Sequence, residues 1–146
     1  MCIVIDTNRL PEFLKNPEHE DMQPLHRWLA RVGRIVYSMG DKFSTELSEN
    51  AKQKLEEFSR SGQAIAIADE EVVNEARKLR EGDLSIKSKD HHVLALARLS
   101  NTRLLFTQDK KLHQDFKNRE IIPFQGSIYQ NKSHGHLLTR TICLVD

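Results

Sequence analysis

"CIVIDTN", residues 2–8, decides how the rest of the chain is read. Three β-favouring apolar residues, Ile3, Val4 and Ile5, follow one another without polar alternation and then meet Asp6, Thr7 and Asn8. A strand with one wet face alternates apolar and polar residues, so an unbroken apolar run predicts a strand buried on both faces. Such strands belong to parallel sheets covered by helices on each side. The carboxylate ending the run then needs a reason. Asp6 either begins a turn, caps the next helix, or joins a charge cluster that requires a cation.

Outward from that stretch, further apolar runs predict strands at Ile35–Tyr37, Ala64–Ala68, Leu104–Thr107 and Ile121–Phe124. Helical patterns fall between them. Short ones are expected at Leu10–Leu14 and Leu25–Val32, the second closed by Gly33. Leu47, Ala51, Leu55 and Phe58 mark a helix capped by Ser44 or Thr45 and stopped at Gly62. Val72, Val73, Ala76 and Leu79 mark another, capped by Asp69 and ended by Gly82; Val93, Leu94, Ala97 and Leu99 mark a third, capped by Ser88. The alternation predicts an α/β fold, a three-layer α/β/α sandwich around a mainly parallel sheet. Residues 126–146 form an extension without a clear place in that scheme. Within it, Ile142–Val145 reads as an edge strand, a docked arm or part of a dimer interface.

With 146 residues the chain is expected to be a single domain, 1–146. No apolar run approaches the ~20 residues that cross a bilayer, and no basic region followed by a signal-like stretch opens the chain, so the expected location is cytoplasmic. Cys2 and Cys143 lie near opposite ends outside any CxxC pair, and neither a disulfide framework nor a zinc ribbon is expected. A net charge of +1 neither favours nor excludes a nucleic-acid partner. Gly-rich phosphate loops and GxGxxG are absent, so no nucleotide cofactor is indicated.

In open parallel sheets ligands bind outside the carboxyl ends of the strands. Asp6 and Asp109 each follow a predicted strand and are expected on that rim. Asp90 precedes Val93, Leu94 and Ala97 by three, four and seven residues, so it heads the buried stripe of its helix. Glu46 stands beside the apolar face at the start of another helix. Carboxylates gathered in this way repel, and Mg²⁺ or Mn²⁺, which prefers hard oxygen ligands, relieves the repulsion. Each acid also has a plainer reading, as a helix cap or a solvated charge. Asp115, six residues past Asp109, is a rival fourth acid, and Glu49 replaces Glu46 if its helix starts later.

The ordered set "VIDTN" at 4–8, "STELS" at 44–48, "SKDHHVLALA" at 88–97 and "LLFTQD" at 104–109 resembles the PIN-domain proteins. That family includes the ribonuclease toxins of bacterial toxin–antitoxin pairs. "AIADEEVVNEARKLREG" at 66–82 is similar to the strand and helix before the third acid of such toxins. The resemblance covers roughly residues 2–124 and implies the same sandwich fold, with Asp6, Glu46, Asp90 and Asp109 as metal-binding and catalytic acids. It further implies Mg²⁺- or Mn²⁺-dependent cleavage of single-stranded RNA and a cognate antitoxin as partner; for a homodimer the sequence offers only an apolar helix face or the C-terminal strand as a surface. Family members often carry an aromatic residue soon after the fourth acid, whereas "DKKLHQDF" delays Phe116. "NKSHGHLLTRTICLVD", 131–146, has no counterpart in the resemblance.

On this reading Thr7, Asn8 or Thr107 orients the carboxylates, and Arg9, Lys87, Lys89, Lys110 and Lys111 either receive RNA phosphates or are ordinary surface charges. Other readings are weaker. "DHH" at 90–92 is shared with a phosphoesterase family whose further motifs are missing. "DTN" lacks the second acid of a haloacid-dehalogenase phosphatase, because position 8 is Asn. His134 and His136 have no companion Cys or carboxylate and read as a surface loop. The alternative from another class is a non-catalytic nucleic-acid-binding or assembly module that keeps the fold.

Overall fold

A computed structural model describes residues 1–140 and 143 of the chain. It is an α/β protein with a five-stranded, all-parallel sheet flanked by helices, a three-layer α/β/α sandwich. The strands are β1 (Cys2–Ile5), β2 (Arg34–Tyr37), β3 (Ala64–Ala66), β4 (Leu104–Phe106) and β5 (Ser127–Tyr129), in the order β3-β2-β1-β4-β5. Ile3 pairs with Ile35 on one side of β1, and Val4 with Leu105 on the other. All four residues of β1 are buried, as its unbroken apolar run predicts. The chain builds outward from β1 to β3 and then returns to place β4 on the far side of β1. That reversal opens a crevice at the carboxyl ends of β1 and β4, the usual ligand position in such sheets.

The helices are α1 (Leu10–Lys15), α2 (Gln23–Leu29), α3 (Phe43–Glu46), α4 (Glu49–Arg60), α5 (Asp69–Glu81), α6 (His91–Ser100) and α7 (Lys110–Lys117). α6 is buried on nearly every side, with residues 92–97 all inaccessible, and it packs between the sheet and α5. Of the expected α5 stripe, Val72, Ala76 and Leu79 are buried while Val73 is exposed; Leu99 of α6 is also exposed.

The cap position of α5 is Ala68 and not Asp69, whose Oδ1 accepts the Met39 amide at 3.2 Å, and that of α6 is Asp90 and not Ser88. Three further expectations are corrected. The run Ile121–Phe124 is not a strand. Pro123 interrupts it, and the amides of Ile121 and Ile122 bond back to the Asn118 carbonyl, closing a turn after α7. Both isoleucines still fill the core, and the fifth strand comes later, past Gly126. A side chain at Gly126 would collide with the ring and carbonyl of Phe116, so only glycine admits this close approach. The sheet therefore extends into the region left unplaced by sequence, followed by a 3₁₀ helix at Lys132–Leu137.

The expected helix from Leu47 to Phe58 is also divided. Leu47 turns to extended backbone after α3, and Ser48, not Ser44 or Thr45, caps α4 by accepting the Ala51 amide at 3.1 Å.

Third, Cys2 and Cys143 form a disulfide, their Cα atoms 5.0 Å apart. They are remote in sequence, yet the tail returns to the start of β1, where Trp28 Nε1 also donates to the Thr139 carbonyl at 2.7 Å. Ile142, Leu144 and Val145, for which an edge strand, arm or dimer contact is expected, lie outside the described residues. No described helix is long and apolar enough to cross a membrane.

Candidate metal centre

The acids of the crevice arrive on different elements, each with its own local anchor. Asp6 follows β1 directly and is buried; Thr107 Oγ1, just past β4, donates to its Oδ2 at 2.7 Å, and the Asn8 amide faces its Oδ1 at 3.3 Å. The same Thr107 hydroxyl accepts the amide of Asp109 at 3.1 Å, so one buried side chain ties together the ends of β1 and β4. Asp109 caps α7, its Oδ1 accepting the amides of Lys111 and Leu112 at 2.9 and 3.4 Å. Here the capping role is real, and Oδ2 is the oxygen that capping leaves over.

Asp90 behaves differently. It occupies the cap position of α6 yet makes no side-chain bond to the helix, and Ser88 Oγ accepts the Asp90 amide instead, at 3.3 Å. Burial pushes its carboxyl up to about 6, with Asp6, Glu46 and Asp109 adding repulsion in that order and Lys42 opposing. All four acids are thus close enough to feel one another at Asp90. No Lys or Arg forms an ion pair with any of them among the described residues.

Glu46 reaches the crevice from the last residue of α3. The later start of α4 does not displace it: Glu49 lies outward, exposed and paired with Lys52. Glu46 Oε1 accepts from Thr7 Oγ1 at 3.2 Å and contacts Nε2 of His92 at 2.5 Å. Glu46, Asp90 and His92 each offer a ligand atom, all within 4.8 Å of one another. His92 is fully buried, its ring 4.5 Å from Phe43 in an edge contact, and its Nδ1 has no hydrogen-bond partner among the described residues. Burial holds its pKa below the ordinary imidazole value, against the opposing pull of Glu46.

Asp115, the rival to Asp109, belongs elsewhere. It is buried, and its two oxygens accept the amides of Lys87 and Ser88, each at 2.8 Å. That pins the loop before α6 to α7.

Sequence reasoning missed two residues of the crevice. Lys42 pulls against the rise at Asp90 and reaches the Lys89 carbonyl at 3.4 Å. His92 lies within the motif at 88–97 but has no role in the sequence reading. Its position two residues after Asp90 was the available signal. Of the expected phosphate contacts, Lys87, Lys89, Lys110 and Lys111 are exposed, whereas Arg9 is half-buried with its guanidinium 5.3 Å from the centre of the Phe106 ring. His134 and His136 sit on the 3₁₀ helix with rings 6.5 Å apart, and His134 Nδ1 is occupied by the Gln130 amide.

Mutually repelling carboxylates, one of them bent away from its capping role and none paired with a Lys or Arg among the described residues, are a donor set that fits a divalent cation. Compared with known proteins, the chain matches no family model, no curated protein and no solved structure.

Proposed function

We propose that the protein is a Mg²⁺- or Mn²⁺-dependent endoribonuclease that cleaves single-stranded RNA, acting as the toxin of a toxin–antitoxin pair. One observation carries the reading: Asp90, at a helix cap position, gives its side chain to no helix amide and faces Asp6, Glu46 and Asp109. The ordered resemblance to PIN-domain proteins supports the choice of chemistry. In this reading Asp6, Glu46 and Asp90 hold the cation and Asp109 completes the centre. When bound, such a cation supplies Lewis acidity, favouring attack of water on phosphorus and offsetting the charge that develops there. Thr107 and Thr7 keep the Asp6 and Glu46 carboxylates in place through the bonds described above. The exposed Lys87, Lys89, Lys110 and Lys111, which flank Asp90 and Asp109 in sequence, supply cationic groups for the phosphate backbone.

The test is RNA cleavage with Mn²⁺ by the wild type and by Asp6→Asn and Asp90→Asn. Loss of cleavage in both variants is expected; full activity in either overturns the assignment. The partner part of the reading predicts that a small protein encoded beside this one suppresses the cleavage when the two are mixed.

A further inference from the structure

We infer that His92 is a positioning residue: its Nε2–H holds Glu46 by Oε1, so that Oε2 is the oxygen presented to the cation. The inference rests on the metal-centre reading above and concerns which atoms of this chain prepare it.

An ionised carboxylate only accepts hydrogen bonds, so the Nε2 atom facing Glu46 Oε1 carries the hydrogen. In the neutral ring Nδ1 is then a bare lone pair. That agrees with its having no partner, because a buried acceptor left alone is tolerated more readily than a buried N–H. Direct ligation of a cation through Nε2 would move the hydrogen to Nδ1, into surroundings that offer no acceptor. Metal-binding histidines nearly always donate that second N–H to a carboxylate, carbonyl or water. The buried ring is therefore built to hold Glu46 and not to replace it.

The setting of Glu46 makes such a hold necessary. It ends a four-residue helix, its side chain is about one-third exposed, and the backbone turns extended at the next residue. A partly exposed glutamate at the end of so short a helix is a poor ligand unless one oxygen is secured. Thr7 and His92 both approach Oε1, whereas Oε2 receives no hydrogen bond among the described residues. His92 in turn is fixed by complete burial and by the edge contact with Phe43.

The experiment measures Mn²⁺ affinity of the whole chain by electron paramagnetic resonance, without RNA. It uses wild type, Asp90→Asn, His92→Phe and His92→Gln at a temperature where each is folded by circular dichroism. Phe keeps a ring but has no donor; Gln places an amide N–H near the position of Nε2. His92→Phe is expected to bind about 10- to 100-fold more weakly, the usual cost of removing a group that orients a ligand, and His92→Gln to recover most of the loss. If His92→Phe does not fold, His92→Leu carries the same expectation. Wild-type affinity in the donorless variant overturns the inference, as does equal weakening by Phe and Gln, which would mean packing alone. If Asp90→Asn weakens binding while His92→Phe does not, the metal centre stands and only the role of His92 falls. If the wild type binds no Mn²⁺, both fall.

Discussion

Asp90 and Asp115 are acids on neighbouring elements, shielded from solvent to different degrees and treated in opposite ways. Asp115 is 1% exposed, and each of its oxygens receives a backbone N–H at 2.8 Å. Asp90 is only partly buried, receives no helix amide, and faces three other carboxylates. Burial alone therefore does not mark a candidate site acid. What separates the two is compensation: hydrogen bonds to a carboxylate favour its charge, while desolvation and like charges oppose it. The Asp41–Arg80 pair, a guanidinium on a carboxylate in a left-handed turn, belongs with Asp115.

The contrast breaks most sharply in function. Asp90→Asn is expected to lower RNA cleavage by at least about 10³-fold, equivalent to about 4 kcal/mol of barrier, with the fold kept. Asp115→Ala should do the reverse, leaving the buried Ser88 amide and the part-buried Lys87 amide without an acceptor and costing on the order of 3 kcal/mol in urea unfolding. If Asp115→Ala proves neutral, or Asp90→Asn unfolds the chain, the division between the two acids is wrong.

A cation sharpens the same comparison. Mn²⁺ at about 100 times its Kd should stabilise the wild type by about 2.7 kcal/mol in thermal unfolding, and the shift should vanish in Asp90→Asn but persist in Arg80→Met.

Without metal, pH reports the sign. The folded-state value of Asp90, about 6, lies above its ordinary 3.8, so ionising it opposes folding. Asp90→Asn should then melt higher than wild type at pH 7, with the gap closing as pH falls from about 6 to about 4. A gap that widens on acidification would contradict the repulsion.

Asp41 has the opposite sign, because the Arg80 hydrogen bond holds its carboxyl below the usual value. Its contribution is present at neutral pH and is lost as pH falls through that lowered value. Arg80→Met should cost only about 0.5–1 kcal/mol at pH 7, as expected of a partly exposed pair, and nothing in strong acid.

Much of the fold was legible because burial writes itself locally. β1 was readable from three consecutive apolar residues, and α6 from apolar residues three and four apart. Misreadings came where a local signal was outweighed or overlooked. Pro123 should have demoted the run Ile121–Phe124, and Ser48 proved a better cap than Ser44 or Thr45 because the chain breaks at Leu47. The acids were nameable one by one, but their surroundings were not. Nothing in the spacing distinguished Asp109 beside the crevice from Asp115 beneath the Lys87–Ser88 loop.

Sequence by itself determined the layered α/β fold, because whether a residue faces the core recurs every two residues in a strand and every three or four in a helix. Tertiary structure alone decided the pairings across long separations: Thr107 with Asp6, Thr7 and His92 with Glu46, Cys2 with Cys143. Those depend on strand order, side-chain direction and which face each helix turns inward. Such quantities exist only once the sheet has closed around β1, and no short stretch of chain contains them.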